Sequence, residues 1–265
     1  MSRRPPRPLL RKSLGQHHLV DGALTRPLVA FLEPAGRRVL EIGPGGGVLT
    51  RELLAAGASV LAWELDPAWA AAAAGALPGE RLQVVVGDAL DIPFERLPPG
   101  TLAAGNLPYN VATPILARLL TRAEGVPRAA FLVQLEVAER LAAGAGDAAY
   151  GALSVLVACH ARAVLLGRVK PGSFRPPPKV DSAFVGLVRH EPPLPPAEMP
   201  VFLDLVRRGF GQRRKTLANA LTAGGGRGKP AVAAALAAAG IPPRARAEEL
   251  DLAAWLALYR AWRIP

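Results

Sequence analysis

Along the first 190 residues, short runs of apolar side chains alternate with longer stretches of helical spacing. Residues 39–42, 60–63, 82–86, 102–104, 131–133 and 183–188 read as strands, because they are too short for helices and most are rich in branched or aromatic side chains. Strands that alternate with helices predict a mostly parallel sheet with helices on its faces. The texture changes at His190-Glu191-Pro192-Pro193-Leu194-Pro195-Pro196, a linker that neither a helix nor a central strand accommodates. Beyond it only helical patterns follow, at 199–211, 213–223, 229–239 and 247–260, separated by breaks that carry Gly or Pro. The pattern therefore predicts an α/β domain over 1–190 and a small helical domain over 191–265, with no internal repeat.

Composition supports a folded chain with a large core. Of 265 residues, 51% are apolar and 20% charged, which excludes a disordered or acidic solvating protein. A single cysteine, Cys159, excludes a disulfide framework, and the scattered His17, His18, His160 and His190 lack the spacing of a zinc site, so no metal is expected. The longest apolar runs, 67–77 and 231–239, fall short of the roughly 20 residues that a bilayer span needs. No apolar stretch of signal-peptide type follows the basic start, and a cytoplasmic location is the expectation. A monomer is the default expectation for oligomeric state.

Charge changes the picture by where it lies. The net charge is +11. Residues 1–12 carry five basic groups and no acid, residues 13–190 carry 16 basic against 15 acidic, and residues 191–265 carry 11 against 6. Arginine supplies 27 of the 32 cations, and its planar fork pairs with phosphates and stacks on bases. Nucleic acid is the first partner this suggests, although a merely solvated basic surface accounts for the same numbers.

The first chemical motif is Glu41-Ile42-Gly43-Pro44-Gly45-Gly46-Gly47, between the first strong strand and a helix. Glycines there let the backbone turn sharply and approach a ligand. A dinucleotide fingerprint fails because Val48 stands where its last glycine belongs, and a P-loop fails because Gly228-Lys229 lacks the upstream glycine and is followed by Pro230. What fits is a nucleoside ligand without phosphate, at the carboxyl ends of the strands. Glu64 ends the second strand, 21 residues after Gly43, where a carboxylate accepts from both ribose hydroxyls. Asp88 ends the third strand and suits an adenine amino group; singly, each is also an ordinary strand-end acid or helix cap. With the loop, the two acids resemble the S-adenosylmethionine pocket of Rossmann-like methyltransferases.

Asn106-Leu107-Pro108-Tyr109 follows the fourth strand at the same end of the sheet. The exocyclic amine of adenine is a poor nucleophile, because its lone pair is delocalised into the ring. Acceptors on its two hydrogens, the Asn106 side-chain oxygen and the Leu107 carbonyl, favour a pyramidal nitrogen. Pro108 removes a competing N–H and stiffens the turn, and Tyr109 offers a face for stacking. The plainer reading is an Asn-x-Pro turn with a core tyrosine.

These motifs, with Lys12-Ser13-Leu14-Gly15-Gln16-His17, residues 174–183 and residues 210–217, resemble in order the KsgA-type small-subunit ribosomal RNA adenine dimethyltransferases, from about residue 11 to the end. The resemblance implies transfer of two methyls from S-adenosylmethionine to N6 of each of two adjacent adenosines near the 3′ end of 16S rRNA, with S-adenosylhomocysteine as product. It implies a partner, 16S rRNA within the immature small subunit, and no membrane. It assigns His17, Leu19, Gly43, Gly45, Glu64, Asp88 and Asn106 to the cofactor, and Asn106 to Tyr109 with Phe174 to the flipped base. His18 departs from the pattern, which most often has Phe there; a neutral imidazole packed on a ring accommodates it. Phe174, in a proline-rich loop among Arg168, Lys170, Arg175 and Lys179, reads either as a stacking platform or as a buried loop anchor. Arg213, Arg214 and Lys215 read as a phosphate-tracking surface, or as an ordinary solvated face. Related Erm-type enzymes of 23S rRNA fit residues 174–183 and 210–217 less well. A DNA adenine methyltransferase is disfavoured by Leu107, and an assembly checkpoint in which binding outweighs catalysis is compatible with the same residues.

Overall fold

All six apolar runs read as strands pair into one sheet. The computed structural model describes residues 17–77, 79–212, 214–224 and 227–263. The elements are, in chain order, β1 (His18–Leu19), α1 (Arg26–Leu32), β2 (Arg38–Ile42), α2 (Val48–Ala55), β3 (Ser59–Glu64), α3 (Pro67–Ala76), β4 (Leu82–Val86), β5 (Leu102–Asn106), α4 (Ala112–Arg122), β6 (Arg128–Gln134), α5 (Leu135–Ala142), α6 (Ala152–His160), β7 (Ala161–Val169), β8 (Phe174–Arg175), β9 (Ser182–Arg189), α7 (Met199–Phe210), α8 (Leu217–Ala223), α9 (Lys229–Ala238) and α10 (Leu252–Trp262).

The main sheet runs β4-β3-β2-β5-β6-β9-β7. The first five strands are parallel, and β9 is antiparallel to both β6 and β7. Chain order reverses between β2 and β5, which opens a crevice at their carboxyl ends. The residues that follow β2, β3 and β5 therefore converge. A second, two-stranded sheet joins β1 to β8, with Leu19 opposite Phe174 and His18 opposite Arg175. Strand β7 escaped the sequence reading because Ala161, Arg162, Ala163 and Gly167 dilute its apolar content, as an edge strand with one neighbour allows.

Two compact units emerge. One runs to Glu139 and resumes from Ala161 to His190; the other comprises Arg140–His160 and the chain from Glu191 onward. The sequence predicts 1–190 as one domain, but residues 140–160 belong with the helical unit. There Val155 and Cys159 of α6 pack in one core with Phe202, Leu205, Trp255 and Leu258. The core of the first unit includes Leu28, Leu32, Val39, Leu53, Leu102, Leu132 and Phe174. Helix α8 starts at Leu217 rather than at 213, because Thr216 caps it by accepting from the Asn219 N–H at 3.4 Å.

Candidate active site

The crevice at the reversal point is a cavity walled by the glycine loop, the end of β3, the turn after β5 and residues 17–19. Its floor follows from β2. The strand turns at Gly43, whose φ is +70°, and Gly47 donates to the Pro44 carbonyl at 2.8 Å before α2 begins. Gly45 sits at φ +49°, and a Cβ there would fall 2.5 Å from the His18 ring. Glycine at 45 is thus required twice over, by conformation and by space.

Glu64 is held where the sequence places it. It is 5% exposed, with Oε2 accepting from the Gly45 N–H at 3.1 Å and Oε1 accepting from the Asp66 N–H at 3.0 Å. Burial raises its pKa, and these backbone donors oppose the rise. Each oxygen keeps a second lone pair for a hydroxyl donor. Asp88 is exposed at the same sheet end but does not line the cavity; its Oδ1 caps the following turn at Leu90 N, 2.8 Å away.

The turn after β5 is fixed from two sides. The Asn106 Nδ2 donates to the His17 carbonyl at 2.6 Å, so its Oδ1 is the amide end left for another donor. Leu107, buried at 1% exposure, donates its N–H to the Leu132 carbonyl at 3.0 Å, and the Pro108 carbonyl accepts from Val111 N at 3.1 Å. The Tyr109 hydroxyl shares a 2.6 Å hydrogen bond with the Ser182 hydroxyl, and its ring stacks on His17 with centroids 5.2 Å apart. Burial raises the Tyr109 pKa. The His17 Nδ1 lies 2.8 Å from the Pro176 carbonyl. Leu19 lines the cavity and is otherwise buried.

Phe174 is 0% exposed and packs in the core with Leu19, the placement that the loop-anchor reading expects, and its ring does not stand as an exposed platform. Arg214 and Lys215 are exposed in the turn before α8, in the helical unit, while Arg213 and residues 12–16 lie outside the described residues. His18 is accommodated as expected: its ring packs on Trp69 at 4.4 Å, and Nδ1 accepts from the Gly46 N–H at 3.1 Å.

Leu65 and Glu41 are among the wall residues to which the sequence analysis gives no role. Leu65, 48% exposed, follows Glu64 and offers an apolar surface beside it. Glu41 is 1% exposed, with Oε2 buried and without a hydrogen-bond partner among the described residues. Its signal was an acid inside the otherwise apolar run Val39-Leu40-Glu41-Ile42. No group of three or more metal-ligating side chains occurs among the described residues, and no helix among them is long and apolar enough to cross a membrane.

Comparison with known proteins bears on this geometry. A sequence model described as ribosomal RNA adenine dimethylase matches residues 8–262. The chain is 46% identical over 261 residues to ribosomal RNA small subunit methyltransferase A of Synechococcus sp. (strain JA-3-3Ab), covering 95% of this chain and 92% of that one. It is 43% identical to the protein of the same name from Methylococcus capsulatus, covering 94% and 96%. Among solved structures, a dimethyladenosine transferase from Plasmodium falciparum shares the fold, with a TM-score of 0.77 at 24% identity over 91% of this chain and 96% of that one. The 23S rRNA methyltransferase ErmE matches with a TM-score of 0.70 at 28% identity, covering 92% and 98%.

Proposed function

Since the chain belongs to the ribosomal RNA adenine dimethylase family, we propose that its cavity binds S-adenosylmethionine beside Asn106-Leu107-Pro108-Tyr109, which receives the target adenine. The protein is an S-adenosylmethionine-dependent rRNA adenine dimethyltransferase of the small-subunit type. It methylates N6 of two adjacent adenosines near the 3′ end of 16S rRNA. The 23S alternative gives way, since identity to the small-subunit relatives is 43 and 46% against 28% for ErmE.

The cavity suits the cofactor on the chemistry of its donors. Glu64 has lone pairs for ribose hydroxyls, the glycine loop admits close approach, and the buried carboxylates favour a cation. When bound, S-adenosylmethionine supplies an electrophilic methyl on a positively charged sulfur. Asn106 carries the reading. With Nδ2 committed to the His17 carbonyl, Oδ1 accepts from an N6 hydrogen of adenine while the Leu107 carbonyl takes the other. Nitrogen acidity rises as the new bond forms, so the proton leaves to solvent and no general base is needed at the outset. The imidazole stacked on Tyr109 marks a ring that takes a flat heterocycle on its face.

The immature small subunit is the proposed substrate particle, acted on in the cytoplasm by a monomer. The basic helical unit, with Arg214 and Lys215 exposed, is its proposed docking module. Labelled S-adenosylmethionine should mark immature small subunits, and leave large subunits and duplex DNA unmarked. Label on large subunits at an equal rate overturns the assignment of the particle.

A further inference from the structure

The buried charge on the cavity wall is all of one sign. Glu41 and Glu64 line it, and no lysine or arginine among the described residues does. Glu64 has both oxygens engaged by backbone N–H groups, whereas Oε2 of Glu41 is buried with no partner among the described residues. A carboxylate so placed is costly unless it holds a proton or meets a cation. Glu64 from β3 and Thr50 from α2 act on it directly, and Asn106 from the end of β5 and His17 and His18 from the segment at β1 share the cavity wall with it.

We propose that Glu41 reads charge at the cofactor site: it holds a proton in the free protein and releases it when the sulfonium enters, so that the cavity prefers the cationic methyl donor to the neutral thioether product. This rests on the reading of the cavity as the S-adenosylmethionine site. One O–H bond of Glu41 breaks, its proton passes to solvent, and one negative charge appears on the wall as one positive charge arrives. S-adenosylhomocysteine has the same nucleoside and amino-acid parts, so the two ligands differ by the methyl and the positive charge it places on sulfur, and only the charge acts on a carboxyl proton. Burial pushes the Glu41 carboxyl up to about 7, Thr50 opposes this, and the neighbouring Glu64 adds to it. Near neutral pH the group is thus poised between its two states.

Titration calorimetry of the full-length protein at pH 7, in two buffers of different ionisation enthalpy, counts the protons released. S-adenosylmethionine should release about half a proton per site, falling towards zero by about pH 9, and S-adenosylhomocysteine much less. Glu41→Gln should abolish this release and narrow the preference for the donor over the product by about tenfold. No release from the wild type overturns the proposal, as does release equal for both ligands, which would tie the proton to groups they share. Full release by a folded Glu41→Gln overturns it too, since the proton then comes from another group. If neither ligand binds the folded wild type, the reading of the cavity fails together with the proposal.

Discussion

Asn106 has one end of its amide tied to the backbone of residue 17, so the other end is presented rather than left to rotate. An acceptor that matters most as the amine becomes pyramidal contributes to the transition state more than to binding. Asn106→Ala should therefore retain subunit affinity while methyl transfer falls by about two to three orders of magnitude, as single-turnover assays read. Glu41 bears on stability as well. Its proton is held more tightly in the folded chain than at the ordinary value of 4.5, so the unfolded chain binds fewer protons between pH 4.5 and about 7. Stability is then full below that window and falls as pH rises through it, by on the order of 3 kcal/mol. Glu41→Gln should melt near the wild type at pH 5 and on the order of 5 °C higher at pH 8. Phe174→Ala should cost about 3–5 kcal/mol in denaturant unfolding, whereas Phe174→Leu should fold and methylate at near wild-type rates; a large activity loss in folded Phe174→Leu would return the residue to the base site. Glu64 and Asn106 were legible in sequence, because a polar residue ending an apolar run at a sheet's carboxyl edge has few other reasons to be there. Phe174 was not, since an aromatic among prolines reads the same buried or exposed, and its pairing with Leu19 spans most of the domain.

At the scale of elements, the site depends on how closely β2 and β5 approach. Gly105 lies opposite Ile42 across that pair, and a Cβ on it would collide with the Ile42 carbonyl. Gly105→Ala should cost about 1–3 kcal/mol in unfolding and depress methyl transfer with it, because Asn106 is the next residue. Equal melting and equal turnover would show that the strands separate freely there. Six strands were legible because each carries a compact apolar run, and β7 was not, being diluted and at the edge. The start of α8 was misplaced for a local reason. The chain over 213–216 looks helical by composition, and the Thr216 cap sets the boundary four residues further on than a pattern of charges and apolar residues suggests.

For the whole molecule, the cations gather at the two ends of the sequence, with five in residues 1–12 and 11 in residues 191–265, while the stretch between is nearly neutral. Each phosphate contact contributes about 0.7–0.9 to the slope of log K against log salt. A variant lacking residues 1–10, with Arg213, Arg214 and Lys215 changed to Ala, should keep its cofactor affinity and bind small subunits weakly with a visibly flatter slope. An unchanged slope in the folded variant would shift the docking surface to Arg168, Lys170, Arg175 and Lys179. The linker at 190–196 showed in sequence where the helical unit resumes, but not that residues 140–160 also belong to it. That excursion consists of apolar helix, and apolar helix carries no mark of which core it enters.

The pairing of β1 with β8 has a consequence for biosynthesis. His17 reaches the Pro176 carbonyl across 159 positions of chain, and the wall formed by residues 17–19 is held by a strand made long after it. A polypeptide still on the ribosome and shorter than about 175 residues has the glycine loop, Glu64 and Asn106 in hand, yet lacks the partner that secures its own beginning over them. The cavity wall is thus completed late in translation, near the end of synthesis of its domain.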